Sequence, residues 1–366
     1  MTGLLSSRTT ARATGAAARL PARVAFRLAR PPVSGVLRPR LVVVGVCLAL
    51  AGFLVFCLGI SVGEVPIGLT EVMRSLVGAG DPGTGLIVHE LRLPRAMTGL
   101  LVGIAFGISG ALFQTMTLNP LASPDMIGIT QGAGTAVVAG VVLGWDAGLS
   151  TQSLGLLGAL TTALLVYVLA WKRGTTGYRI VLVGIGVSWV CTSLTDYLMA
   201  YGGQFEAQAS LGWLVGNLNG RDWNAVEPLA IALAVLVPVA LLLGRWIRTL
   251  QLGDDVAKGL GTPVQAVRLA TLLTGVGLIA FGTAAAGPVA FVALAAPQVA
   301  QRLARTAWPP PVAAGLTGAL MVLSADLLAR EVIPDTELPV GVVTGVLGAP
   351  VLLWLLVRAN RVGSGG

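Results

Sequence analysis

The sequence predicts an all-α integral membrane protein of about ten transmembrane helices, with both termini in the cytoplasm. Of its 366 residues, 55% are hydrophobic and only 11% are charged, and apolar stretches recur along the chain. A soluble domain carries about 25% charged residues, so this chain has too few charges to cover a water-exposed surface. The 49 glycines suit helices that pack closely in lipid, where helices pair every backbone polar group internally.

The predicted spans are apolar stretches close to the length that crosses a bilayer. They run 41–60, 97–117, 126–143, 151–171, 180–200, 226–244, 267–286, 288–303, 311–328 and 338–357. Several are short, which is typical of a broken or re-entrant span. An even number of spans places both termini on one side of the membrane.

Basic residues set the predicted orientation, because cytoplasmic loops carry an excess of Lys and Arg. With the amino terminus inside, the inner segments hold Lys172, Arg173, Arg179, Arg245, Arg248, Lys258, Arg268, Arg302, Arg305, Arg358 and Arg361. The outer segments hold only Arg74, Arg92, Arg95, Arg221 and Arg330, together with most of the acidic residues.

Three regions follow from this pattern. Residues 1–40 contain eight arginines and no acid, which predicts a disordered basic cytoplasmic tail that contacts anionic lipid headgroups. A mitochondrial-type targeting segment is the alternative interpretation of the same composition. Residues 41–358 form the transmembrane domain, and 359–366 a short cytoplasmic tail.

Small residues recur at intervals of four along three predicted spans. They are Gly99, Gly103 and Gly107; Gly128, Gly132, Ala136 and Gly140; and Gly341 and Gly345. This small-xxx-small spacing favours close helix contact rather than a ligand site.

Several kinds of chemistry have no sequence signature here. The chain contains no G-x-x-x-x-G-K-[ST] phosphate loop, and its two lysines, Lys172 and Lys258, lie in no glycine-rich phosphate cradle. His89 is the single histidine and has no companions at metal-ligand spacing, and no nucleophile–base pattern is recognisable. We therefore expect no catalytic, cofactor or metal site, and no nucleic-acid partner, since the positive charge is concentrated in the tail.

The predicted inner loop at 252–268 contains residues that typically begin and end a short helix, followed by residues that begin a new helix. Asp254 can cap the first helix, with Asp255 near its positive end, and Gly261 can end it. Thr262 and Gln265 fit a capping box around Pro263. Such an elbow either docks a partner or simply reorients the chain.

Arg92, Arg95 and Arg330 lie in predicted outer segments, against the positive-inside bias. Snorkelling, or a local ion pair of Arg330 with Glu331 or Asp326, would explain them. The alternative is a basic platform that receives acidic groups of a partner through guanidinium contacts.

From about residue 86 to 358 the chain resembles the FecCD/cobalamin-permease type of membrane subunit in ATP-binding-cassette importers of ferric siderophores, haem and cobalamin. The matching blocks are 91–134 (LRLPRAMTGLLVGIAFGISGALFQTMTLNPLASPDMIGITQGAG), 252–261 (LGDDVAKGLG), 286–303 (AGPVAFVALAAPQVAQRL) and 325–350 (ADLLAR…ELPVGVVTGVLGAP). The segments NPLASPDMIGI, GNLNGRDW (216–223) and LGDD are most similar to the ferric-enterobactin type.

The resemblance implies a complex of two permease subunits, as a heterodimer or homodimer, with two cytoplasmic ATPases and an extracytoplasmic solute-binding protein. ATP and magnesium would be bound by the ATPase, and this chain would be non-catalytic, without cofactors, and located in a bacterial plasma membrane. Docking of the binding protein would fall on Arg92, Arg95 and Arg330. The ATPase would contact the coupling helices at 252–268, through Gly253, Asp254, Asp255, Ala257, Leu260 and Gly261. The cytoplasmic gate would lie at Thr175, Thr176, Gly177 and Tyr178.

Three features depart from the family pattern. Gln298 stands where a histidine is usual, the loop from Thr306 lacks a frequent Asp-His-Arg, and Asp196 lies within the fifth predicted span, where a carboxylate is expensive. A protonated or hydrogen-bonded Asp196 near the outer helix end is the simpler interpretation. Two other functions stay open: import of haem or cobalamin by the same family, and secondary transport driven by an ion gradient.

Overall fold

The computed structural model describes residues 24–28, 33–63, 65–145, 150–171, 177–332 and 337–363, which are predominantly helical. The α-helices are α1 Pro39–Ser61, α2 Leu69–Leu76, α3 Pro82–Leu86, α4 Leu93–Thr117, α5 Ile129–Val142, α6 Thr151–Ala170, α7 Gly177–Tyr201, α8 Gln204–Leu214, α9 Trp223–Leu250, α10 Asp254–Gly259, α11 Val264–Ala286, α12 Val292–Ala304, α13 Pro311–Glu331 and α14 Val340–Gly363. A π-helical segment, Ile87–Arg92, joins α3 to α4, and a 3₁₀ turn, Pro124–Ile127, precedes α5.

The chain divides into two units, Met1–Val43 and Val44–Gly366. In the first unit, β1 (Val24–Leu28) pairs antiparallel with β2 (Val33–Leu37). This ladder differs from the disorder expected for residues 1–40, because valine, leucine and phenylalanine in these segments favour extended backbone. Residues 1–23 and 29–32 lie outside the described residues.

The apolar helices of the chain include both long and short ones. Among the described residues, seven helices are long and apolar enough to cross a bilayer: Pro39–Ser61, Pro82–Thr117, Thr151–Ala170, Arg179–Tyr201, Trp223–Leu250, Val264–Ala286 and Pro311–Glu331. The apolar helix α5 and the apolar part of α14, Val340–Leu353, are shorter. The predicted total of ten spans and the positions of the termini therefore stay predictions.

The second span begins earlier than the sequence indicated. Its helix continues from Pro82 through the π-helical segment to Thr117, whereas the apolar stretch begins at 97. Because residues 87–95 lie within this continuous helix, Arg92 and Arg95 are held at fixed positions on its surface.

The interior of the second unit is centred on α4, which packs against α13, α11, α9 and α12. The predicted glycine grooves are observed here. A Cβ atom at Gly103 would lie 2.5 Å from the Ala319 Cα atom of α13, and one at Gly107 would overlap the Ala314 carbonyl. Gly345, in contrast, has no described atom within 4 Å of such a Cβ, so close packing is not observed at that glycine.

Candidate functional site

Two of the three outer arginines, Arg95 and Arg330, converge on one buried carboxylate, that of Asp326. Arg95 donates from Nε and Nη2 to Asp326 Oδ1 at 3.1 and 3.0 Å, and Arg330 donates from Nη2 to Asp326 Oδ2 at 2.7 Å. The Asp326 side chain is 4% exposed, and those of Arg95 and Arg330 are each 11% exposed. Two guanidinium groups therefore share both oxygens of one buried aspartate.

Arg92 and Arg330 also bind the carboxyl end of α1. Arg92 donates to the carbonyls of Ile60, Ser61 and Val65 at 2.8, 3.3 and 2.6 Å, and Arg330 donates to the Gly59 carbonyl at 3.0 Å. The last carbonyls of a helix have no partner within the helix, and a positive charge there is favoured by the helix dipole. The arginines thus anchor α1 to α4 and α13.

Glu337 completes what we name the arginine cluster: Arg92, Arg95, Arg330, Asp326 and Glu337. Arg95 Nη1 donates to Glu337 Oε2 at 3.0 Å, and the Glu337 side chain is 45% exposed. The guanidinium groups of Arg95 and Arg330 therefore contact two carboxylates, of which only Glu337 is substantially open to solvent. The spacing of residues 92, 95 and 330 in the sequence gave no sign of Glu337.

The inner elbow, residues 252–268, contains the short helix that the sequence predicted. Gly253 precedes α10 with φ of 95°, and Gly261 follows it with φ of 78°, values that glycine adopts without strain. The Gly261 N–H donates to the Lys258 carbonyl at 2.9 Å. Ala257 is buried, while Leu252, Val256 and Leu260 are exposed, so the elbow presents an apolar face.

Two of the predicted caps in the elbow were wrong. Asp254 lies in the first turn of α10 rather than at its N-cap, which is Gly253, and its carboxylate instead accepts from Arg268 Nη2 at 3.0 and 3.3 Å. Thr262 does not cap α11, whose N-cap is Pro263. The Thr262 hydroxyl bonds to that of Thr249 at 2.8 Å. In both cases a partner from a neighbouring helix replaces the local cap.

The predicted gate is only partly described. Thr175 and Thr176 lie outside the described residues, and Gly177 and Tyr178 begin the backbone of α7. Their role as a gate stays a prediction.

The departures from the family pattern have different surroundings. Gln298 Nε2 donates to Gln114 Oε1 at 2.7 Å, and Gln114 Nε2 donates to the Leu294 carbonyl at 3.0 Å, which joins α12 to α4. Asp196 is exposed, five residues before the end of α7. Within the described ranges, no three His, Cys, Asp or Glu side chains converge on a possible metal position.

Comparison with solved structures supports the fold. A structure described as an inward-facing conformation of a metal-chelate type ABC transporter matches with a TM-score of 0.76. The match has 22% sequence identity and covers 86% of this chain and 99% of that one. This similarity establishes a shared architecture of the membrane helices.

Curated relatives align over most of their own length. The ferric enterobactin transport system permease protein FepG of Escherichia coli is 38% identical over 83% of this chain and 92% of its own. The achromobactin transport system permease protein CbrC of Dickeya dadantii is 39% identical over 82% and 87%. The iron(3+)-hydroxamate import system permease protein FhuG of Bacillus subtilis is 36% identical over 84% and 94%.

The family comparison covers nearly the whole transmembrane domain. The model of the FecCD transport family matches residues 48–358, a range that includes the arginine cluster, the elbow and every helix from α2 to α13. The chain therefore belongs to the FecCD transport family.

Proposed function

We propose that this chain is the membrane-spanning permease subunit of an ATP-binding-cassette importer that carries a ferric siderophore into the bacterial cytoplasm. The observation that carries the proposal is the alignment of siderophore and ferric-hydroxamate permeases over more than four fifths of the chain at 36–39% identity. The multi-pass helices suit a subunit that resides in the bacterial plasma membrane.

Energy for transport would come from a partner. The chain has no phosphate loop, and we infer that two cytoplasmic ATPase subunits bind ATP and magnesium. The apolar face formed by Leu252, Val256 and Leu260 supports contact between the elbow and an ATPase, because these side chains are exposed beside the buried Ala257. The ion pair of Arg268 with Asp254 connects α10 to the first turns of α11. A displacement of the elbow is therefore transmitted to a membrane helix.

The arginine cluster would receive the solute-binding protein on the outer face. Its guanidinium groups are held by the chain's own acceptors, so docking cannot use them as free side chains. Glu337 is the exchangeable partner, because it is exposed and contacts Arg95 through one hydrogen bond. We propose that a carboxylate of the binding protein replaces Glu337 on Arg95, while Asp326 keeps the arginines in position.

A second permease subunit, identical or homologous, would form the transport path together with this chain. ATP-driven closure of the ATPases would then shift packed helices as rigid bodies and alternate the inner and outer gates. The segment 175–178, whose last two residues begin α7, is the proposed inner gate.

Uptake by a deletion strain tests the substrate class. We expect loss of radioactive iron uptake from one or more of ferric enterobactin, ferric hydroxamates and ferric citrate, with full rescue by the wild-type gene. Uptake of cobalamin and haem in the same strain is the matched control and should be unchanged. Loss of cobalamin or haem uptake with intact siderophore uptake would contradict the proposed substrate class.

A further inference from the structure

A cavity of about 270 Å³ lies where two interruptions of the membrane helices meet. One interruption is the segment 118–128 between α4 and α5, and the other is the segment 287–291 between α11 and α12. The side chains that matter for its chemistry are Ser123, Asp125 and Gln131 on one side, and Val289, Phe291 and Leu294 on the other. Nothing in the proposed docking or coupling roles uses this cavity.

The lengths of the helices that follow place both interruptions, by our inference, within the membrane layer. The helices that follow them have 14 and 13 residues, so they rise only about 21 and 20 Å, less than the hydrocarbon thickness of about 30 Å. The backbone leaves helical geometry at Gly128 and at Phe291, whose φ values are 82° and 64°. A positive φ at phenylalanine is strained and is tolerated where surrounding structure enforces it.

Non-helical backbone at membrane depth is tolerated only when it is buried in protein or lines a water-filled space. Ala290, in the second interruption, lines the cavity and is exposed. We therefore place the mouth of the cavity on an aqueous passage rather than on lipid. Paired interrupted helices of this kind mark binding sites in other membrane transporters.

The Asp125 carboxylate and the Gln131 side-chain oxygen are hydrogen-bond acceptors that line the cavity. Asp125 Oδ1 accepts from the Thr130 hydroxyl at 2.9 Å, and its other oxygen has no partner among the described residues. Gln131 Oε1 is buried and likewise has no hydrogen-bond partner there. The amino-terminal ends of α5 and α12 both border the cavity, and their dipoles favour a carboxylate at this position.

The remaining wall is apolar, formed mainly by Val289, Phe291 and Leu294. An apolar pocket with a few fixed polar groups suits an organic ligand, whereas a bare cation would leave the apolar wall without a contact. The volume is near the lower end of ligand pockets, which run from about 300 to 1,000 Å³. It accommodates one arm of a larger molecule.

We propose that this cavity binds an amide-bearing arm of the organic chelator during transport, with Asp125 and Gln131 accepting its N–H groups and Phe291 packing against its carbon chain. The proposal rests on the proposed function, because it assumes that an iron chelate passes the cavity. It assigns Asp125 and Gln131 as residues that determine substrate specificity.

The complete importer in proteoliposomes, with its ATPase and binding protein, tests this assignment with two radioactive ferric complexes. One is a linear tris-hydroxamate with secondary amides, and the other is the same chelator with those amides N-methylated. We expect the wild type to transport the secondary-amide complex about threefold to tenfold faster, as expected for one lost hydrogen bond. Gln131→Leu and Asp125→Asn should bring this ratio towards one.

Gln152→Leu, the same change at a residue on the outer part of α6 that lines a separate cavity of about 90 Å³, should keep the wild-type ratio. Gln131→Glu, which retains the acceptor oxygen, should also retain discrimination. A ratio that is equal to one in the wild type, or unchanged in both Gln131→Leu and Asp125→Asn, would overturn the assignment. Failure of the wild type to transport these complexes and also ferric enterobactin and ferric citrate would instead contradict the proposed function, and the assignment with it.

Access to water provides a second measurement that does not depend on transport. In a chain with Cys47, Cys57 and Cys191 replaced by serine, Ala290→Cys should react with a water-soluble maleimide. The secondary-amide ferric complex should slow this reaction. Absence of labelling in both the resting and the ATP-bound importer would show that the cavity does not open to the transport path.

Discussion

Replacing Val256 and Leu260 together by aspartate should release the ATPase from the permease and reduce ATP-driven uptake to background. The two side chains are 51% and 61% exposed, and in the proposed complex they are buried against the ATPase. Burial of two such side chains contributes about 3–6 kcal/mol, so their loss should weaken association about 100-fold or more. Co-purification of the ATPase with the permease from detergent, and uptake of the radioactive iron chelate in cells, measure the two effects.

Lys258→Gln is the matched control on the same helix. Lys258 is exposed and lies 3.7 Å from the Asp255 carboxylate, and exposed ion pairs of this kind contribute little. This variant should bind the ATPase as the wild type does. Retention of the ATPase at the wild-type ratio by the double aspartate variant would refute the coupling role of the elbow.

Asp326→Ala should destabilise the membrane domain strongly. Asp326 is the shared buried partner of Arg95 and Arg330, and removal of one member of a buried ion pair costs about 3–5 kcal/mol. The arginines also hold the end of α1, so we expect loss of that anchor as well. Thermal unfolding of the purified chain in detergent, together with its yield from membranes, measures the effect.

Glu337→Gln separates stability from docking within the same cluster. Because Glu337 is 45% exposed, its ion pair should contribute less than about 1 kcal/mol, and the variant should unfold close to the wild-type temperature. Removal of the competing carboxylate should strengthen binding of the solute-binding protein. Equal unfolding temperatures for wild type and Asp326→Ala would contradict the structural role assigned to Asp326.

Hydropathy alone was sufficient to predict the long helices, because each apolar segment carries its own signal. The short helix α10 of the elbow was also predictable, since Gly253 and Gly261 flank a short segment of polar and apolar residues. Its caps were not. Asp254 pairs with Arg268 on α11, and Thr262 pairs with Thr249 on α9, and such partners from other helices leave no local pattern in the sequence.

The arginines illustrate the same limit. The ion pair of Arg330 with Asp326 was predictable, because the two residues lie four apart on one helix. The contacts of Arg95 with Asp326 and Glu337, and those of Arg92 with the end of α1, depend on tertiary packing. The segments 126–143 and 288–303 were predicted as spans of their own. Their helices begin only at Ile129 and Val292, because residues before them form the interruptions that border the cavity at Asp125.

The most direct test of the account is accumulation of a radioactive ferric siderophore in sealed vesicles that contain the permease pair, with the binding protein supplied on the outer face. We predict accumulation against a concentration gradient only when the ATPase and ATP are present on the inner face. The permease pair alone, even with a proton or sodium gradient, should show none. Accumulation against the gradient without the ATPase would contradict the account.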